Sequence, residues 1–248
     1  AADIYGDGNL AIFKTNFAGD TSTLYKNGGK GLFEDVTFQS GLGRNTRFLG
    51  WGASFLDFDN DGWSDILTCN GHVYPEVREN ANESGYRERK VLYRNDGAGK
   101  FVDVSLDAGP GILELVPGRG CAIGDFNNDG NLDVVVNCVN DYPQLLRCDS
   151  TLKNHWIKVK TVGVKSNRSG IGARVFCTAE GGHRQMNEVR SGGSYISQSD
   201  LKVHFGLGSS AKADIEVHWP SGQIDKLPGL AANQLITVTE GQRPPSGS

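Results

Sequence analysis

Asp57-Phe58-Asp59-Asn60-Asp61-Gly62-Trp63-Ser64-Asp65 and Asp125-Phe126-Asn127-Asn128-Asp129-Gly130-Asn131-Leu132-Asp133 are two copies, 68 residues apart, of one nine-residue pattern. Oxygen-bearing side chains stand at positions 1, 3, 5 and 9, and a glycine at position 6. Ca²⁺ is a hard cation that takes about six to eight oxygen ligands, and so short a loop wraps it only by turning sharply, which glycine allows. The candidate ligands are Asp57, Asp59, Asp61 and Asp65 in the first loop and Asp125, Asn127, Asp129 and Asp133 in the second, with the backbone carbonyls of Trp63 and Asn131 at position 7. An EF-hand would need a glutamate at position 12 and flanking helices; here position 12 is Thr68 or Val136, and Ile66-Leu67 and Val134-Val135-Val136 read as strands. The bland alternative is a polar Asp/Asn/Gly turn without an ion. Two copies in register favour the ion.

Working outward, Leu24-Tyr-Lys-Asn-Gly-Gly-Lys-Gly-Leu-Phe33-Glu-Asp-Val-Thr37 recurs as Leu92-Tyr-Arg-Asn-Asp-Gly-Ala-Gly-Lys-Phe101-Val-Asp-Val-Ser105, again at an offset of 68. A third, decayed copy begins at Asp3-Ile-Tyr-Gly-Asp-Gly-Asn-Leu-Ala11, where only Asp3 and Asp7 remain as carboxylates, and Leu145-Leu-Arg-Cys148 resembles the start of the strand pair. The unit is loop, strand, hairpin, strand, and such units of roughly 40 to 60 residues mark propeller blades. Residues 1–151 would hold two to three blades, fewer than the four or so that close a propeller. Upstream blades, another copy of the chain or some other surface would then cover the open side, and the isolated chain would not behave as a tidy monomer. The insertion from Gly71 to Arg89 reads as a polar surface loop.

Composition sets bounds on this reading. The chain has 248 residues, 38% of them apolar and 22% charged, a net charge of −4 and no long apolar run or dense Lys/Arg cluster. That excludes a membrane-spanning helix and gives no sign of a nucleic-acid surface. The 34 glycines suit short strands and tight turns, and no amphipathic helix stands out. Ala1-Ala2-Asp3 carries neither an initiator methionine nor a signal peptide, as expected of a processed or partial chain. The five cysteines lack the spacing of zinc or redox motifs. A hairpin through the second loop would bring Cys121 and Cys138 together, while Cys177 reads as an inert buried thiol.

After Asn154 strict alternation takes over, with Ile157 and Val159 against Lys158 and Lys160, Leu201, Val203 and Phe205 against Lys202 and His204, and Ile215, Val217 and Trp219 against Asp214, Glu216 and His218. Residues 152–241 are therefore expected to form a separate antiparallel β-domain, a sandwich, followed by a flexible tail at 242–248.

These residues resemble a known family. The two loops resemble FG-GAP (VCBS) repeats, the units of integrin-α-type propellers. Lys165-Ser-Asn-Arg-Ser-Gly-Ile-Gly-Ala-Arg174, Arg190-Ser-Gly-Gly-Ser-Tyr-Ile-Ser-Gln-Ser-Asp200, Val203-His-Phe-Gly-Leu-Gly208 and Val217-His-Trp-Pro-Ser-Gly222 look like an ASPIC/UnbV domain, and the insertion at Asn70-Gly-His-Val-Tyr-Pro75 looks like one in bacterial members. The resemblance implies an all-β chain, a partial calcium-binding propeller followed by a sandwich-like ASPIC/UnbV domain, outside the cytoplasm and without established catalysis. Tyr5 and Ala11 depart from the ligand pattern, as does Cys148 from the Asn27 and Asn95 of the other repeats.

No nucleophile elbow, zinc-protease, Walker or dinucleotide motif is present. Of the five histidines, His204 and His218 fall on polar strand faces, His155 and His183 begin strands, and His72 sits beside Tyr74 in the insertion. The Arg190 to Asp200 stretch, with Tyr195, would either line a binding surface or be a self-satisfied hairpin. Asn82 and Asn167 stand in N-glycosylation sequons. The expectation is an extracellular or periplasmic calcium-stabilised interaction or structural protein, not an enzyme, with a protein or glycan partner. The alternative is a secreted glycan-acting hydrolase, or its accessory domain, with the His72–Tyr74 loop near its site.

Overall fold

In the computed structural model, which describes residues 1–78 and 84–242, the described chain forms seventeen strands, a single-turn helix at Pro110–Leu113 and a 3-10 turn at Leu42–Arg44. The Asn82 sequon and residues 243–248 lie outside the described residues. No helix among the described residues is long and apolar enough to cross a membrane.

The repeat region forms three antiparallel meanders. The first contains β1 (Ile12–Lys14), β2 (Thr23–Asn27) and β3 (Phe33–Asp35); the second, β4 (Gly50–Leu56), β5 (Asp65–Asn70), β6 (Val91–Asn95) and β7 (Phe101–Asp103); the third, β8 (Gly118–Gly124), β9 (Asp133–Cys138) and β10 (Gln144–Leu146). Each nine-residue loop joins an inner strand to the next: β4 to β5 and β8 to β9. All six residues of β5 are buried because this strand is covered on both faces. Ile66 packs with Ile4, Leu24 and Tyr93 toward the first sheet, whereas Leu67 and Cys69 pack with Cys121, Val134 and Val136 toward the third. In the third sheet only one face is covered. Val135, the counterpart of Leu67, is 46% exposed, as is its cross-strand partner Leu145 at 54%.

The strand-pair register also decides the cysteine question. Regular pairing outward from the second loop sets Val136 opposite Cys121, and Gly118 stands opposite Cys138, so the Cys121–Cys138 pair that a hairpin would allow does not form and all five cysteines are free thiols. Cys177 is fully buried, as expected of an inert thiol. The Gly71–Arg89 insertion is a surface loop only in part: Tyr74 is exposed, but His72 and Glu88 are buried, and Glu88 Oε2 accepts the Leu49 N–H at 2.9 Å.

The C-terminal region is a two-sheet sandwich. Strands β11 (His155–Val162), β14 (Val203–Gly208) and β17 (Gln234–Thr239) form one sheet in the order β14-β11-β17; β12 (Arg174–Ala179), β13 (Arg184–Glu188), β15 (Lys212–His218) and β16 (Ile224–Ala231) form the other in the order β13-β12-β15-β16. Their alternating apolar residues, among them Ile157, Val159, Val175, Cys177, Phe205, Val217 and Trp219, make one core. Pairing is antiparallel throughout except between β11 and β17, which run parallel from Ile157↔Gln234 to Val162↔Thr239. In the sequon at Asn167 the side chain is exposed but tied to Ile171 through both its amide atoms.

Directly after β17, Glu240 seals the sandwich. Its carboxylate accepts the N–H groups of Val164, Lys165 and Ser166 at 2.7, 2.6 and 2.7 Å, the Ser166 hydroxyl at 2.9 Å and the Ser221 hydroxyl. Burial opposes its ionisation, but these donors outweigh burial and hold the carboxyl at about 2, below its ordinary 4.5. A depressed folded pKa stabilises the fold above the unfolded value, and that stabilisation is lost as pH falls from 4.5 toward about 2. Glu240→Gln should therefore lower the melting temperature at neutral pH, with the gap to wild type closing over that acid range. Melts at a series of pH values test this, and a gap independent of pH would contradict it.

Candidate metal centre

In the first loop Asp57 and Asp65 sit at the ends of β4 and β5, 8% and 0% exposed, and Asp59 lies between them, 4% exposed. Asp57 anchors the turn: Oδ1 accepts the Asp61 N–H at 3.0 Å and Oδ2 the Gly62 N–H at 2.8 Å. Asp61 Oδ1 accepts the Trp63 N–H at 2.9 Å, and Asp65 ties the loop to its sheet by accepting Phe58 N–H at 3.2 Å and Asn95 N–H at 2.8 Å. Asn60 (φ 58°) and Gly62 (φ 95°) take left-handed conformations, which Asn and Gly tolerate best. The second loop repeats this construction: Asp125 accepts Asp129 N–H at 3.1 Å and Gly130 N–H at 2.8 Å, Asp129 accepts Asn131 N–H at 2.8 Å, and Asp133 accepts Phe126 N–H at 3.0 Å and Cys148 N–H at 2.9 Å.

The ligand oxygens of Asp57, Asp59 and Asp61 lie within 4.8 Å of one another, close enough to hold a metal ion. Burial, followed by the neighbouring carboxylates Asp65 and Asp61, pushes the Asp57 pKa well up. Burial likewise raises Asp65 to about 8 and pushes Asp59 up. Carboxylates crowded in this way fit a cation that neutralises them. The side chain facing them is Arg94 on β6, half-exposed, whose Nε is 2.9 Å from Asp59 Oδ2 and whose Nη2 is 3.3 Å from Asp61 Oδ2.

In the second loop Asn127 and Asp129 are exposed, with Asn127 Nδ2 donating to Asp129 Oδ2 at 2.8 Å. Its buried carboxylate Asp125 already has a cation partner: Lys158 of β11, with Nζ 2.6 Å from Oδ2. The decayed loop keeps the Asp3 turn, accepting Asp7 N–H at 3.1 Å and Gly8 N–H at 3.0 Å. It offers no carboxylate at positions 3 and 9, where Tyr5, under the Lys26 ammonium, and Ala11, buried in the core, stand instead.

The site differs most from the sequence expectation in its surroundings. The sandwich packs on the first loop and meets the second at Asp125 and Gly130, while Asn127, Asn128 and Asp129 stay exposed. His183 Nε2 lies 2.9 Å from Gly62 O and His204 Nε2 2.7 Å from Asn60 Oδ1; Gly208 N–H donates to Asn60 O at 2.9 Å and Asn154 Nδ2 to Asp59 O at 2.8 Å. Asn60 Nδ2 also reaches Gly130 O at 3.1 Å, joining the two loops directly. The faces of β11 and β14 that alternation assigns to solvent thus lie against the loops, and Lys158 is 2% exposed. Burial, with the positive charge of Lys158, pulls His204 down to about 4, so it stays neutral at physiological pH. The Arg190 to Asp200 stretch crosses the inner strands: Asp200 N–H donates to Ile123 O at 2.9 Å and Ser199 Oγ accepts Ile123 N–H at 3.1 Å. Arg94, Lys158, His183 and His204 were not expected at the loops. Their signal in the sequence is only a polar residue on a strand or, for His183, just before one.

Residues 163–245 match the family model described as ASPIC and UnbV, and residues 82–136 match that of an FG-GAP-like repeat. The resemblance drawn from the motifs is therefore also found by comparison. The second match takes in the Asp125 loop; the Asp57 loop precedes it. Cartilage acidic protein 1 of Xenopus tropicalis is 25% identical over 248 residues, covering 81% of this chain and 38% of that protein. The mouse and human proteins of the same name are each 25% identical over 267 residues, covering 88% of this chain and 40% of theirs. The chain thus spans about two fifths of the length of the curated relatives it matches.

Proposed function

Starting from an FG-GAP-like repeat joined to an ASPIC and UnbV segment, we propose that this is a secreted, extracellular or periplasmic, calcium-binding interaction or structural protein. Ca²⁺ at the Asp57 and Asp125 loops would hold the three meanders rigid as blades of a partial propeller and present their surface to a protein or glycan partner. The observation that carries this reading is the buried, crowded Asp57–Asp59–Asp61 cluster at a strand junction. A cation there ties together strand ends that mutual repulsion of the carboxylates would otherwise strain. The half-exposed Val135 and Leu145 face of the third sheet supports an interaction role, because the equivalent face of the second sheet is covered by its neighbour.

The hydrolase alternative gains nothing from the geometry. His72 is 1% exposed and packed against the rings of Phe17 and Tyr74, with Nδ1 facing the Tyr74 N–H at 3.2 Å.

Calcium affinity follows ligand charge and site rigidity, so the Asp57 loop, with four carboxylates against three in the Asp125 loop, should be the tighter site. Calorimetric titration of Asp57→Ala and Asp125→Ala should show one site lost in each, with the tighter one lost in Asp57→Ala. Retention of both sites in either variant would remove the assignment.

A further inference from the structure

The two loops share a ligand pattern but differ in the cation that faces them. Arg94 approaches the first from a side chain that is 50% exposed, and touches Asp59 and Asp61 from the solvent side. Lys158 approaches the second from inside the sandwich seam. Its side chain is 3% exposed and that of Asp125 is fully buried. A metal arriving at the first loop can displace Arg94 into water at little cost. Lys158 is held more closely: its side chain is buried, β11 is the central strand of its sheet, fixed by β14 on one side and β17 on the other, and the ammonium also lies 5.2 Å from the centre of the Trp156 ring.

Both Asp125 oxygens are engaged, Oδ1 by Asp129 N–H and Oδ2 by Gly130 N–H together with Lys158 Nζ. A divalent ion held by Oδ1 would therefore share one carboxylate with a fixed ammonium on the other oxygen. Like charges at that range repel strongly where water is excluded. The three carboxylates of the second loop face one buried ammonium, whereas the four of the first loop are freed of their neighbour once Arg94 swings away.

We propose that Lys158 acts as a built-in cation that fastens the sandwich to the second loop and sets that loop's calcium affinity well below that of the first. The inference rests on the calcium reading above and goes beyond it by making the two sites unequal through a residue of the other region of the chain. The second loop then serves first as a socket for Lys158, and calcium enters it only at high concentration.

The test is a calcium titration of ¹⁵N-labelled full chain, following the backbone amides of Gly62 and Gly130, which report the two loops separately. In wild type the Gly62 midpoint should lie at least about tenfold below that of Gly130, in line with the dependence of affinity on ligand charge. In Lys158→Met, where an unbranched side chain fills the same space without charge, the Gly130 midpoint should fall by at least about tenfold while that of Gly62 moves by less than about twofold. A Gly130 midpoint unchanged in Lys158→Met, or equal to that of Gly62 in wild type, overturns the inference. If neither amide responds to calcium, the calcium reading itself fails. Should Lys158→Met not fold, Lys158→Gln, which also removes the charge, is titrated in its place and must show the same fall at Gly130, because the carboxylate count alone already favours the first loop in wild type.

Discussion

Gly206→Ala is expected to destabilise the protein by about 3 kcal/mol or more, although it adds a single methyl group on a strand. A Cβ at this position would lie 2.0 Å from Asp57 Oδ2 and 2.6 Å from both Cα and C of Asn60, distances no relaxed packing allows. The Gly206 backbone is not left-handed, so alanine suffers no conformational penalty and the cost is one of space alone. Relief requires β14 to back away from the first loop. That movement strains Gly208 N–H to Asn60 O, His204 Nε2 to Asn60 Oδ1 and Gln185 Nε2 to Gly206 O, at 2.9, 2.7 and 2.7 Å. Overpacking costs about 1–3 kcal/mol and each buried polar group left unpaired about 1–3 more. Gly181→Ala is the control, because its Cβ would meet nothing closer than Ser210 Oγ at 3.7 Å. Urea unfolding in calcium measures both, and a Gly206→Ala protein within about 1 kcal/mol of wild type would show that the seam is loose.

Chelation of calcium should produce the other large effect, on stability and not on shape. Free ion at about 100 times Kd adds roughly 2.7 kcal/mol per site, and in a chain of this size each kcal/mol moves the melting temperature by about 2–4 °C. Loss of the first site alone should therefore lower the melting point by about 5–10 °C. The loops are closed by backbone hydrogen bonds to Asp57, Asp65, Asp125 and Asp133, and they lie between paired strands, so β content should persist without the ion. Thermal melts by circular dichroism, with and without chelator, check both parts. A melting point indifferent to chelator would contradict a structural ion, and a collapse of the β signal at low temperature would mean that the ion builds the fold instead of bracing it.

Much of this was legible because it is local. The Asp57 and Asp125 turns are spelled within nine residues, and their 68-residue offset announces repeated meanders. Alternation after Asn154 likewise marks Ile157, Val159, Val203 and Phe205 as core. Period two assigns a residue to a face, but it is silent on what lies against that face. Lys158 and His204 were thus placed on a polar side that turns out to be the seam with the loops. Their partners, Asp125 and Asn60, are 33 and 144 residues away, beyond any spacing rule. Counting residues did not bring Cys121 to Cys138 either, because antiparallel pairing outward from Gly124↔Asp133 sets Cys121 opposite Val136, two residues short of Cys138. The parallel β11–β17 contact left no trace, since strand direction is a property of the connection and not of either strand's pattern.

That parallel contact governs when the chain can mature. β11 is the first strand of the sandwich to emerge during synthesis and β17 the last, yet they must lie side by side from Ile157↔Gln234 to Val162↔Thr239. Pairings between such distant segments form late, because the loop between them must be closed before they yield any gain. Until Thr239 has left the ribosome, β11 has one edge open, and the surface that will cover the Asp57 and Asp125 loops is not fixed. A ribosome paused before Gln234 therefore holds a nascent chain whose repeat meanders are complete but whose sandwich is an unsealed sheet.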